Sequence, residues 1–336
     1  MEKGFYMKSI GFFNNKGGVG KTTLICNLAG SLAIKNNKKV LVIDADPQCN
    51  ASAYLLDEDK LQSILMDNKH YSVDAFYEPI RRGQGYPKET PTIVRSERFN
   101  VDLIVGDPKL SIREDLLATD WAETRNGEPR GFQTTYAFRE LVSRFEQYDY
   151  VLIDMGPSLG ALNRSVLLGV DYFLMPLSVD IFSMMAVENI IKSLTSWKSA
   201  LDGAIQRHYE SEGHNFQIAG KDVGWSLSFA GHVVQQYRAK KREGVRQAVG
   251  AFERIMEKQL FELAELCRFF DVDPKLADLG EVPTLSSVVP LSQQAHAPIF
   301  DLNAKDGVVG AHYTRVYEAA SFFHSISDKF IARIES

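Results

Sequence analysis

The chain has 336 residues, 45% of them hydrophobic, with a formal net charge of −5. That composition supports a sizeable core in one large domain or at most two, and it excludes a protein held on nucleic acid by overall charge, which would be basic. Cys26, Cys49 and Cys267 are too scattered for a disulfide framework or a paired metal site. No signal-like N-terminal run and no stretch approaching ~18 apolar residues is present, so a soluble cytoplasmic protein is expected.

In chain order, Met7 to Phe13 is a short apolar segment, followed by a glycine-rich turn and a helical stretch from Lys21 to Lys35. Lys39 to Ile43 reads as a strand buried on both faces, as do Tyr150 to Ile153 and Tyr172 to Met175. Further strands are expected at Leu103–Val105, Ser226–Gly231 and Leu285–Val289. Strands alternating with helices predict an α/β fold, a mostly parallel twisted sheet with helices on both faces. Polar or Gly-rich stretches near 80–98, 118–131 and 205–224 read as insertions on one domain spanning 1–336, because the strand rhythm resumes after each. Asp120 to Gly131, with Asn126-Gly127-Glu128-Pro129, predicts a loop. From His312 to Ile334, apolar residues at Val316, Ala320, Phe323, Ile326, Phe330 and Ile334 predict a closing helix with one buried face.

The chemistry concentrates at Lys16-Gly17-Gly18-Val19-Gly20-Lys21-Thr22-Thr23. This fits the phosphate-binding pattern G-x-x-x-x-G-K-[ST] except that Asn15 fills the first glycine slot. Glycines let the backbone wrap phosphate oxygens with N–H groups inward, and the following helix adds its N-terminal dipole. Lys21 is placed to reach the β- and γ-phosphates of a nucleotide and the Thr22 hydroxyl to ligate Mg²⁺. Asp44-Ala45-Asp46-Pro47-Gln48 ends one strand and Asp154 ends another. In such sheets ligands sit beyond the carboxyl ends of the strands, so these carboxylates fall near the phosphates, with Asp154 the candidate to hold Mg²⁺. The seven histidines carry no metal-ligand spacing.

The run Lys16 to Thr22 resembles the deviant Walker-A motif of the ParA/MinD family of P-loop ATPases, the ParA-like branch above all. Asp44 to Gln48 resembles that family's switch I, and Tyr148 to Asp154 its Walker-B strand. The family commonly continues Asp-x-Pro-Pro, where this chain has Met155-Gly156-Pro157-Ser158 at switch II. The resemblance implies ATP and Mg²⁺ as cofactors and an ATP-bound homodimer. It implies that Lys16 reaches across the dimer to the partner's nucleotide, that Asp46 orients the attacking water, and that Asp44 supports the Mg²⁺ shell. Pro290 would lie by the adenine. It further implies slow, partner-stimulated hydrolysis and an adaptor of ParB type or another cargo protein.

Arg238, Lys240, Lys241 and Arg242 stand in a stretch, 236–258, with seven Lys/Arg against three Asp/Glu. Such a patch suits non-specific DNA binding and equally a solvated helix face. Other readings stay open at this point: a switch acting on a protein partner without DNA, a MinD-like membrane positioner, an iron–sulfur carrier, or a small-molecule ligase or kinase. The membrane reading lacks a basic amphipathic tail, and the iron–sulfur reading lacks a suitable cysteine pair. Association with the nucleoid follows only if the DNA reading holds.

Overall fold

A computed structural model describes residues 6–178, 180–237 and 246–335. The elements in chain order are β1 (Lys8–Phe12), α1 (Lys21–Ile34), β2 (Val40–Asp44), α2 (Asn50–Leu55), α3 (Glu58–Met66), α4 (Val73–Arg81), β3 (Ile93–Ser96) and β4 (Val101–Ile104). Then come α5 (Arg113–Asn126), α6 (Pro129–Thr135), α7 (Ala137–Val142), β5 (Tyr150–Asp154), α8 (Ala161–Gly169), β6 (Tyr172–Ser178) and α9 (Ile181–Glu212). The remainder is β7 (Gln217–Ile218), β8 (Lys221–Asp222), β9 (Ser228–Tyr237), α10 (Arg246–Phe269), α11 (Pro274–Ala277), β10 (Asp278–Pro283), α12 (Val289–Ala295) and α13 (His312–Glu335).

Eight strands form one sheet in the order β10-β9-β6-β1-β5-β2-β4-β3. Among the described residues of this sheet only the edge pair β3–β4 is antiparallel and the other pairings are parallel; β7 and β8 pair antiparallel apart from it. Parallel strands need crossover helices, which cover both faces. The side-chain period of 2 therefore feeds two cores. Leu41, Ile43, Val151 and Ile153 point to one core with Phe138, Val166 and Val187, while Val40, Val42, Tyr150 and Leu152 point to the other with Leu24, Leu28 and Phe323.

α13 forms where expected. It buries Val316, Ala319, Phe323, Ile326, Phe330 and Ile334, with Ala319 rather than Ala320 on the inner face, so its apolar stripe is spent on the core. Among the described residues no helix is long and apolar enough to cross a membrane.

Two sequence expectations are corrected. Leu285–Val289 is not a strand: Leu285 to Val288 turn, and α12 starts at Val289 with Pro290 in its first turn, a place where the fixed φ and missing N–H of proline favour a helix start. The strand beside β9 is instead β10, whose Asp278, Gly280 and Pro283 hide it from a propensity reading. Asp120–Gly131 is not a loop: α5 runs on to Asn126, and only Gly127 and Glu128 separate it from α6. Gly127, at φ 88°, is the left-handed C-cap that the Asn-Gly pair encodes. The stretch expected to open a helix directly after β9, with Arg238, Lys240, Lys241 and Arg242, lies outside the described residues.

Buried polar contacts lock the P-loop helix to two distant segments. Asn27 of α1 donates to Tyr54 Oη (3.4 Å) and accepts from the Ile299 N–H (2.8 Å). Tyr54 Oη and Ser292 Oγ of α12 are 2.8 Å apart. Each group sits in the interior, where an unmade hydrogen bond is costly, so α1, α2 and α12 share one polar thread.

Candidate functional site

The parallel register gathers the site. Phe12, the last residue of β1, is level with Asp154 at the end of β5, and Asp154 is level with Asp44 at the end of β2. The loop after β1 therefore leaves the sheet beside both carboxylates. It rises from a fixed base: Asn14, fully buried, donates from Nδ2 to the Pro176 carbonyl (2.6 Å), and its Oδ1 accepts the Lys16 N–H (2.9 Å).

Gly18 and Gly20 adopt φ 73° and 80°, a left-handed conformation open to glycine and strained for other residues. Gly20 also lies under Gln235 of β9, whose Oε1 would be 2.5 Å from any added Cβ. Val19 is buried and anchors the loop from below. Beside Gly17 and Gly18 a Cβ would meet nothing within 4 Å, and both residues are exposed, so the loop is open to solvent there. Thr23 continues the first turn of α1, and its carbonyl accepts from Asn27 Nδ2 (2.9 Å).

Lys21, 8% exposed, directs Nζ to Asp154 Oδ1 (3.2 Å) and lies 3.9 Å from Asp46 Oδ2. Thr22 Oγ1 donates to Asp154 Oδ2 (2.9 Å). Asp44 accepts from the Ser52 N–H (2.7 Å) and Ser52 Oγ (2.6 Å), tying β2 to the first turn of α2. Asp46 accepts the Gln48 N–H (3.0 Å). These two carboxylates thus serve the start of α2 as well as facing the cradle.

Burial sets the electrostatics. Asp44 is pushed up to about 7 by burial first and by Asp154 next, against the Ser52 hydrogen bonds. Asp154 is also raised by burial, opposed by Lys21 and Thr22. Two buried carboxylates beside one lysine hold more negative charge than the lysine offsets, an arrangement that favours an added cation. The oxygen donors Thr22, Asp154 and Asp44 suit a hard ion such as Mg²⁺. Among the described residues no three His, Cys, Asp or Glu side chains gather as a metal-holding group.

Lys16 stands apart from this cluster. It is ion-paired to Asp180 at the start of α9, with Ser178 Oγ 3.2 Å from its Nζ. Burial acts to raise the Asp180 carboxyl, but hydrogen bonds from Lys16 and Ser178 win and hold it below the usual carboxylate range. Phe182 (66% exposed), Ile181 and Met185 lie exposed on the same rim, and Lys16, Gly17, Phe182 and Met185 line a hollow of about 380 Å³. Pro290 is exposed in the first turn of α12, and no hydrogen bond of the described residues ties it to the loop 15–23. Sequence reading assigned no role to Asn14, Ser52, Ser178 or Gln235. Asp180, just past the end of β6, pairs with a lysine 164 positions earlier, a contact that no local sequence pattern signals.

The fold and this cradle define a P-loop ATPase of ParA/MinD type. Residues 7–206 match the family model AAA_31, described as an AAA domain, and the chain belongs to that family. It is 29% identical over 200 residues to the virulence plasmid ParA family protein pGP5-D of Chlamydia psittaci, covering 58% of this chain and 66% of that one. It is 30% identical over 190 residues to the chromosome partitioning protein ParA of Myxococcus xanthus (strain DK1622), covering 56% and 58%. The match thus spans less than two thirds of either relative's length. Among solved structures, protein DIP2308 from Corynebacterium diphtheriae superposes with a TM-score of 0.69 at 31% identity, covering 86% of this chain and 97% of that one. The ATP complex of a Cyanothece McdA variant shares the fold at a TM-score of 0.60 and 17% identity, covering 97% of both chains.

Proposed function

We propose that the protein is an ATP-dependent switch of ParA type, used to partition or position DNA or another cargo. The observation that carries this reading is the convergence of Gly17, Gly18, Gly20, Lys21, Thr22, Asp46 and Asp154 on one concave loop, with Lys16 and exposed apolar side chains on its rim. ATP phosphates fill the loop, held by its N–H groups and Lys21. Thr22, Asp154 and Asp44 would hold Mg²⁺, which would supply charge neutralisation on the phosphates. Asp46 orients the attacking water. Pro290 would border the adenine.

ATP binding closes a homodimer on the face that carries Ile181, Phe182 and Met185, an exposed apolar patch of the kind that marks an interaction site. Lys16 leaves Asp180 and reaches the partner's nucleotide, where its charge offsets charge developing in the transition state. Hydrolysis is slow alone, is stimulated by an adaptor of ParB type or a cargo protein, and reopens the dimer. Non-specific DNA binding through Arg238, Lys240, Lys241 and Arg242 would put the cycle on the nucleoid.

Sedimentation with a non-hydrolysable ATP analogue and magnesium tests the reading. A dimer with the analogue and a monomer without it is the expected result; a monomer in both, at all concentrations, overturns it.

A further inference from the structure

The start of α8 follows directly on the loop 155–160 that faces Asp46. A Cβ on Gly156 would be 3.4 Å from Asp46 Oδ1. Asn163, in the first turn of α8, donates from Nδ2 to the carbonyls of Gly156 (2.7 Å) and Ser158 (2.6 Å). The loop therefore takes its position from the N-terminal end of α8.

That end has no cap of its own. Gly160 stands at the N-cap position and offers no side-chain acceptor, and an uncapped helix start leaves its first N–H groups unpaired. Glu114 of α5 fills the place: one carboxylate oxygen accepts the Ala161 N–H and the other the Leu162 N–H (2.9 Å). The fit requires glycine at 160, because a Cβ there would lie 2.1 Å from Glu114 Oε1.

Glu114 is itself held from behind. Its neighbour Arg113 makes two bonds to Asp74 of α4 (2.6 and 3.0 Å) and one to Glu78 (3.2 Å). Farther along α5, the Leu117 carbonyl accepts from Arg164 of α8 (3.3 Å), and the Arg164 guanidinium lies 4.5 Å from the Trp121 ring centre. Residues 114, 117 and 121 share one helical stripe, so α5 grips α8 along its length and by its end.

We propose that Glu114 is a positioning residue for ATP hydrolysis, setting the loop 155–160 against Asp46 through the N-terminal end of α8. The proposal rests on the ATPase reading above. It makes the α4–α5 side of the molecule a place from which turnover can be changed without touching the nucleotide.

Four full-length proteins test it: the parent, Glu114→Ala, Glu114→Gln, and Glu114→Ala combined with Gly160→Asp. The last restores a cap from within the chain, in the room that the glutamate vacates, but restores no tether to α5. Each is measured for melting temperature, affinity for a non-hydrolysable ATP analogue with magnesium, and steady-state turnover. Glu114→Ala should bind the analogue within about twofold of the parent while kcat falls about tenfold or more with KM little changed. Glu114→Gln, which keeps one neutral acceptor, should fall between. The double variant should regain the lost melting temperature and stay slow. Parental kcat in Glu114→Ala, or recovery of kcat together with melting temperature in the double variant, would reduce Glu114 to a helix cap and overturn the proposal. Should Glu114→Ala not fold, Glu114→Gln and the double variant decide in the same way. A parent chain without turnover overturns the ATPase reading and this proposal together, whereas an active parent isolates Glu114.

Discussion

Lys16 and Asp180 are ion-paired within a single chain, with the Ser178 hydroxyl completing the hold on the lysine. A lysine proposed to act on a partner's nucleotide is thus kept at home by its own subunit. Both side chains are about 30% exposed, and such pairs are worth about 1 kcal/mol or less. The hold is weak enough for a dimer contact to replace. Asp180 also accepts the N–H groups of Phe182 and Ser183, so Asp180→Asn removes the charge and leaves an acceptor for the cap. We expect this variant to lower the concentration for analogue-driven dimerisation by up to about fivefold, in keeping with an exposed pair. Sedimentation at graded concentrations reads the shift.

Lys21→Ala should lose ATP affinity by about tenfold to a hundredfold, the range for a hydrogen bond to a charged group. Calorimetry measures it directly. The same substitution strips buried Asp154 of its cation, so the apo protein should also melt at a lower temperature. Equal affinity in parent and variant would remove Lys21 from the phosphate site.

Asp46→Ala should bind ATP within a few-fold of the parent and dimerise, yet turn over about a hundredfold more slowly, as expected on loss of a positioned acid–base group. Its carboxylate accepts the Gln48 N–H and lies 3.9 Å from Lys21 Nζ, and an ionised carboxylate offers no donor to a phosphate oxygen, so binding should survive its loss. Phosphate-release kinetics with saturating ATP would show near-parental rates if the water were oriented elsewhere, with Asp44 the next residue to change.

His232 gives a stability prediction. Burial lowers its pKa below 6.5, with Asp278 acting the other way, and its Nδ1 has no hydrogen-bond partner among the described residues. The unfolded chain then binds the proton more readily than the folded one. Stability contributed by neutral His232 is present above about pH 6.5 and is lost as pH falls below it. Thermal melts between pH 5 and pH 8, on scales set by the free imidazole, should show that loss. His232→Asn should flatten it, so the difference between the two profiles reports this one residue.

Replacing Lys240, Lys241 and Arg242 together by alanine tests the DNA reading. The ATP-bound dimer should bind duplex DNA without sequence preference, and the affinity should fall steeply with salt. Each phosphate contact removed lowers the slope of log K against log[salt] by about 0.9. Basal turnover should not change. Filter binding with the analogue-locked dimer that shows no DNA retained even at low salt would assign the switch to a protein cargo.

The site was legible in the chain where chemistry demands fixed spacing. Gly17 to Thr22 announces a phosphate cradle because few other structures need that run of glycine, lysine and hydroxyl. Asp44 and Asp154 announce themselves as carboxylates ending apolar strands. What stayed hidden depends on tertiary contact. Asp180 meets Lys16 across 164 positions, and Glu114 reads as an ordinary solvated helix residue until Gly160 is brought beside it. β10 stayed hidden for a local reason: an edge strand with glycine, aspartate and proline lacks the β-branched pattern that marks central strands.

The thread that joins Asn27, Tyr54 and Ser292 has a consequence for how the protein breathes. It links positions 27 and 299 directly, so the P-loop helix, the helix after Asp46 and the segment that carries Pro290 are sewn through buried groups that solvent cannot satisfy one at a time. Native-state hydrogen exchange should therefore find the amides of α1, α2 and the 292–299 stretch opening together, with a shared free energy, rather than as three independently fraying pieces.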